Sequence, residues 1–137
     1  MRWSVVLADM NSGKSILAAV VIVHLAVSIV HGIAHGRAPV LLSAGATLFV
    51  VAVILIGPIL GLIVYAFWLP RTGAWIVAVT MAGAFAFGLV NHFLISGSDH
   101  VSHVPAPWRM MFGITAALLA VIEAAGSALA LRYAMRR

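Results

Sequence analysis

The sequence predicts an all-α integral membrane protein, an antiparallel bundle of four transmembrane helices. Of its 137 residues 64% are apolar and only 8% are charged, where a soluble domain carries about 25% charged residues. Four apolar stretches are each long enough for a hydrocarbon layer about 30 Å thick, which takes roughly 20 helical residues. The segments between them are short, so consecutive helices are expected to be antiparallel neighbours. A single domain, 1–137, accounts for the whole chain.

The first span is assigned to residues 15–35. The VVLA run after Arg2 is too short for the apolar core of a signal peptide, and no small-residue cleavage site follows it, so this first hydrophobic segment is expected to be retained. Residues 8–15, ADMNSGKS, match a relaxed phosphate-loop pattern. That loop works only between a strand and an exposed helix N-terminus in an α/β sheet, and here a membrane span follows instead. Asp9, Asn11 and Ser12 therefore read as turn and capping residues and Lys14 as an interfacial anchor, and no nucleotide is expected.

The second span, 44–69, follows a short link containing Pro39 and carries Gly57-Pro58 and Gly61. Proline removes a backbone donor and leaves the Ile54 carbonyl without its usual partner, which predicts a kink. Residues 70–72 lead into the third span, 73–95, and the polar stretch 96–107 leads into the fourth, 108–131. In that last span Ala116, Ala120, Ala124 and Ala128 recur every fourth residue, a smooth strip suited to packing within the chain or to a homodimer seam. No repeat between the halves supports an inverted-repeat transporter.

The net charge of +5 comes from eight scattered Lys and Arg, which read as topology signals and lipid headgroup contacts rather than a nucleic-acid surface. Arg2, Lys14, Arg71, Arg132, Arg136 and Arg137 fall on one side and Arg37 and Arg109 on the other, which predicts a prokaryotic plasma-membrane protein with both termini cytoplasmic. Trp68 and Trp75 would then sit at the inner interface and Trp108 at the outer one. With no cysteine, disulfides and thiolate sites are excluded, and any metal must be held by nitrogen and oxygen.

Histidines are concentrated where charge is scarce. His24, Ser28, His31 and His35 share one face of the first helix. Polar side chains in a span turn into the bundle and are functional candidates. Asn91 and His92, at the outer end of the third span, fall level with His31 and His35, and the following loop carries Asp99, His100 and His103. These residues predict a transition-metal site for Zn, Cu or Fe, with His31, His35 and His92 as ligands, His100 and His103 competing for a further place, and Asp99 as ligand or orienting partner. A haem b held between His31 and His92 is the alternative. A third reading has the histidines bonding only one another, backbone carbonyls and interfacial water, and sensing external pH.

The spacings of His31 to His35 and of His100 to His103 resemble the histidine boxes of membrane-bound di-iron desaturases and hydroxylases. Those enzymes use more than this chain's six histidines and place them on the cytoplasmic side, so no residue role carries over. Glu123, the one acid within a span, falls at the depth of His24 and is expected inside the bundle, bonded to His24 or Thr80, as a proton relay or a neutral structural acid. The function expected is a small membrane metal-binding protein. It could be an oxidoreductase or hydrolase acting on a small or lipophilic substrate from the outer leaflet, with haem electron transfer and metal or proton carriage as alternatives.

Overall fold

A computed structural model describes residues 2–38 and 40–136, with side chains from Ser12 onward. Pro39, Arg137 and the side chains of Arg2, Asp9 and Asn11, which entered the reading above, lie outside the described residues. Four long helices make up the fold: α1 Arg2–Arg37, α2 Ala44–Phe67, α3 Pro70–Leu94 and α4 Ala106–Met135. All four, α1 over Ser12–Arg37, are long and apolar enough to cross a membrane, and no strand occurs among the described residues.

Local chemistry explains where each helix begins and bends. Ser43 caps α2 by accepting the Ala46 N–H at 3.2 Å. The disturbance expected at Pro58 takes the form of a π segment, Val50–Ile56, on its N-terminal side, with the Gly57 N–H reaching back five residues to Ala52. Such five-residue bonding is rare and occurs mostly as short bulges inside α-helices. The turn after α2 is tighter than the sequence suggested. Only Trp68 and Leu69 intervene, both their N–H groups bond the Val64 carbonyl, and Pro70 already belongs to α3.

Small residues let the helices approach. A side chain at Gly73 would run into the backbone of Tyr65, and one at Gly61 would stand 2.7 Å from Val77. On α4, Gly126 makes room for Met81 and Val20. In the resulting bundle α3 packs between α2 and α4, α4 packs between α3 and α1, and α1 meets α2 through the Gly57–Phe67 stretch. Arg71 Nε donates to Ala134 O at 3.3 Å and Ser127 Oγ to Ala78 O at 2.9 Å, tying α3 to α4.

Two apolar cores result. Leu17, Val21, Val77, Met81 and Ala130 fill the half of the bundle that carries Lys14 and Arg71, the basic end. Ala34, Ala38, Val40, Val104 and Phe112 close the other, the histidine end. Outward faces carry Ile22, Ile29, Leu48, Val79 and Val121, between 62% and 68% exposed. The alanine strip of α4 does not keep to one environment: Ala116 is buried, Ala120 half-buried, Ala124 and Ala128 exposed. A four-residue period gains about 40° per step on the 3.6-residue helix, so the strip winds from interior to surface.

Candidate metal centre

His31 and His35 lie one turn apart on the inward face of α1, and His92 comes from a second π segment, Val90–Leu94, that ends α3. That segment turns His92 away from the register of a continuous α-helix, and its Ile95 N–H bonds the Val90 carbonyl five residues back. The three rings meet at the histidine end, each offering one ligand nitrogen, all within 4.8 Å of one another. The Phe112 ring of α4 packs against all three, at centroid distances of 4.7, 4.9 and 5.1 Å, and closes the cluster from one side.

The closest pair is His31 Nε2 and His92 Nε2, 3.2 Å apart. Their outer nitrogens decide what these two atoms are. Thr115 Oγ1 donates to Met111 O at 2.7 Å, so its oxygen accepts the Nδ1–H of His31 at 2.8 Å. His92 Nδ1–H donates to the main-chain oxygen of Asp99 at 3.1 Å. In their neutral forms both imidazoles therefore carry the proton on Nδ1 and point a lone pair inward from Nε2. Two lone pairs facing each other at 3.2 Å repel unless a cation stands between them.

Asp99 completes the group. Its Oδ1 lies 3.3 Å from His35 Nε2 and its Oδ2 3.4 Å from His92 Nδ1, yet both oxygens are buried without hydrogen-bond geometry to a partner among the described residues. Burial pushes its carboxyl up, but the His92 ring beside it, with His35 and His31 behind, outweighs this and holds it below the ordinary carboxylate range. The three imidazole nitrogens could hold a metal ion, and Asp99 adds a carboxylate with unspent acceptor capacity beside them.

His100 and His103, expected to compete for a further place, are not in the group whose ligand nitrogens lie within 4.8 Å of one another. His100 Nε2–H donates to Phe93 O at 3.3 Å, and its Nδ1 accepts from the Ser102 hydroxyl and N–H. His103 Nδ1–H donates to Gly97 O at 2.7 Å. The last carbonyls of a helix lack partners within it; His100 serves that need at the end of α3, while His103 bonds within the loop, whose fully buried Val104 anchors it in the core. The loop so held delivers Asp99 alone.

Thr115 and Phe112 were not singled out from sequence. The available signal was the Phe112–Thr115 spacing of three, which puts both on one face of α4, but nothing local says that this face meets His31. Deeper in the bundle, Glu123 Oε1 lies 3.1 Å from His24 Nε2, with Ser28 Oγ 3.5 Å from the same nitrogen. Thr80, the other partner considered for Glu123, instead donates to Ile76 and Val77 carbonyls of its own helix. Comparison with known proteins leaves this geometry to stand by itself: no protein family, no curated protein and no solved structure matches the chain.

Proposed function

We propose that this chain is an integral-membrane metal-binding protein that holds a transition-metal ion with His31, His35 and His92 at the extracytoplasmic end of an antiparallel four-helix bundle. The observation that carries the reading is the pair of inward lone pairs on His31 and His92. Their 3.2 Å separation is close to the roughly 3.3–3.4 Å edge of a tetrahedral site with Zn–N bonds of about 2.0–2.1 Å. His35 would turn from Asp99 to join them, and Thr115 and Asp99 would orient His31 and His92 from behind. Three imidazoles and no thiolate suit Zn, Cu or Fe. A metal with three protein ligands keeps a position open and supplies Lewis-acid or redox chemistry there, which makes a metal-dependent oxidoreductase or hydrolase the enzymatic form of this reading.

The bundle supports the membrane setting. Large aliphatic side chains cover its outward faces, and the links Arg71–Ala134 and Ala78–Ser127 run in opposite directions along α3 and α4. Lys14, Arg71, Arg132 and Arg136 against Arg37 and Arg109 favour cytoplasmic termini. A haem between His31 and His92 fits less well, because the two rings already touch, with Phe112 against both, and no slot for a flat macrocycle separates them. A carrier path fits less well also, since fully buried Leu17, Val21, Val77 and Met81 pack the bundle below the site.

The test is metal analysis with a visible spectrum on protein purified without a polyhistidine tag. A single equivalent of Zn, Cu or Fe, lost on replacing His31 or His92 by Ala, is the expected result. Absence of stoichiometric metal and of saturable uptake would leave a proton shared between the two rings, and a Soret band would turn the reading to haem.

A further inference from the structure

Between the histidine cluster and Glu123 the bundle is hollow. The cavity measures about 270 Å³, nearly twice the roughly 150 Å³ that holds a benzene. Its two ends are polar, His31, His92 and Asp99 at one and Ser28 and Glu123 at the other. Its walls are apolar, with Leu42 of the α1–α2 link, Ile54 of α2, Phe87 of α3 and Leu119 of α4. A largely apolar pocket with a few convergent polar groups is the ordinary form of a small-molecule site. Thr115, bonded to His31, and Glu123 are eight residues apart on α4, which sets the ends about 12 Å apart, the span of an extended chain of about eight carbons.

The walls also differ in how tightly they are joined. The α3–α4 and α1–α4 seams are closely packed, whereas α1 meets α2 through Gly57–Phe67, on the basic side of the cavity. Besides His31 and His35, α1 gives the cavity only the small residues Ser28 and Gly32, while the α1–α2 link gives Leu42 and α2 gives Val50, Ile54 and Leu55. This is the seam through which a molecule dissolved in the bilayer would reach the interior.

We infer that the cavity binds a small amphiphile from the membrane, an apolar body of about eight carbons with one neutral oxygen head, the head at the histidine cluster and the body between Phe87 and Leu119. A neutral alcohol or carbonyl is chosen over a carboxylate because Asp99 and Glu123 already place a carboxyl group at each end. An apolar chain gains little in moving from lipid to protein, so the head group supplies the binding. The inference rests on the metal reading only for what the head contacts, since the cavity itself is built without a metal.

The test uses full-length protein in lipid nanodiscs and the photoreactive alcohol 3-azioctanol, with labelled residues mapped by mass spectrometry and metal content measured in parallel. Labelling is expected at cavity residues such as Leu42, Ile54, Phe87 and Leu119, competed by unlabelled 1-octanol and not by octane at equal membrane concentration, in metal-loaded and chelator-stripped protein alike. Ala84→Leu on α3 and Ala116→Leu on α4, both filling the cavity wall, should each lose that label. Either variant suffices if its thermal unfolding transition is retained, and the competition in unmutated protein is decisive without them. Label confined to outward residues such as Ile29, Val79 and Val121, or cavity label that octanol does not compete, would overturn the inference even with metal bound. Competed cavity label in a protein that takes up no metal would uphold it and overturn the metal reading instead.

Discussion

Glu123 Oε1 and His24 Nε2 stand 3.1 Å apart, neither side chain open to solvent, in a pair that joins α4 to α1. An ionised acid at the centre of a span costs about 2.5–3.5 kcal/mol on insertion scales unless it is paired or neutral, so the pair relieves a cost for both groups. His24 Nδ1 has no partner among the described residues, which makes this hydrogen bond the ring's principal one. Glu123→Gln, which keeps an acceptor for His24, should change stability by less than about 1 kcal/mol, whereas Glu123→Leu should cost about 1–3 kcal/mol. Reversible unfolding in mixed micelles measures both. Equal losses in the two variants would mean that the bond contributes little.

Metal affinity should divide the histidines into two groups. His31→Ala, His35→Ala and His92→Ala should each lower it by about tenfold or more. His24→Ala, His100→Ala and His103→Ala should retain it, because those rings are spent on Glu123 and on the carbonyls of Phe93 and Gly97. Competition titration against a chelator of known affinity measures each, and a loss at His100 equal to that at His31 would contradict the arrangement.

Thr115 should act through His31 without touching the metal. Thr115→Val removes the oxygen that accepts His31 Nδ1–H while nearly preserving shape, and should weaken metal binding by about tenfold. Thr115→Ser should restore it. A valine variant that binds as tightly as the unmutated chain would show that the ring is oriented by Phe112 alone.

Cysteines at Ser98 and Met135, both exposed, should react with a membrane-impermeant thiol reagent from opposite sides, Ser98 from outside intact cells. Labelling of both from the same side would break the four-span arrangement. Labelling of Ser98 only after lysis would turn the metal site toward the cytoplasm.

Gly73→Ala should destabilise the bundle by about 1–3 kcal/mol, since its Cβ meets the Tyr65 backbone, which has nowhere to move. Gly32→Ala, with open space at its Cβ, should be close to neutral in stability. The same unfolding assay compares them.

Much of this protein was legible before any coordinates. Four helices with near-correct limits follow from composition, because an apolar run of about 20 residues without charge is a local property of the chain. The common face of His24, His31 and His35 follows from helical periodicity, and the level shared by His31 and His92 follows from counting residues inward from the same end.

What only the tertiary structure decided is how one helix is rotated against the next and where the loop runs. Periodicity says which residues share a face but not which face of α4 meets α1, and that depends on where Gly126 admits Met81 and Val20. Hence Thr115 and Phe112 came to light as neighbours of His31 only in three dimensions. The loop presented three candidates by sequence, Asp99, His100 and His103, and its fold spends His100 and His103 on backbone carbonyls and turns Asp99 inward. The reason is physical: hydrophobic length and helical phase are set by neighbours in the chain, whereas side-chain partners are set by packing between segments far apart in it.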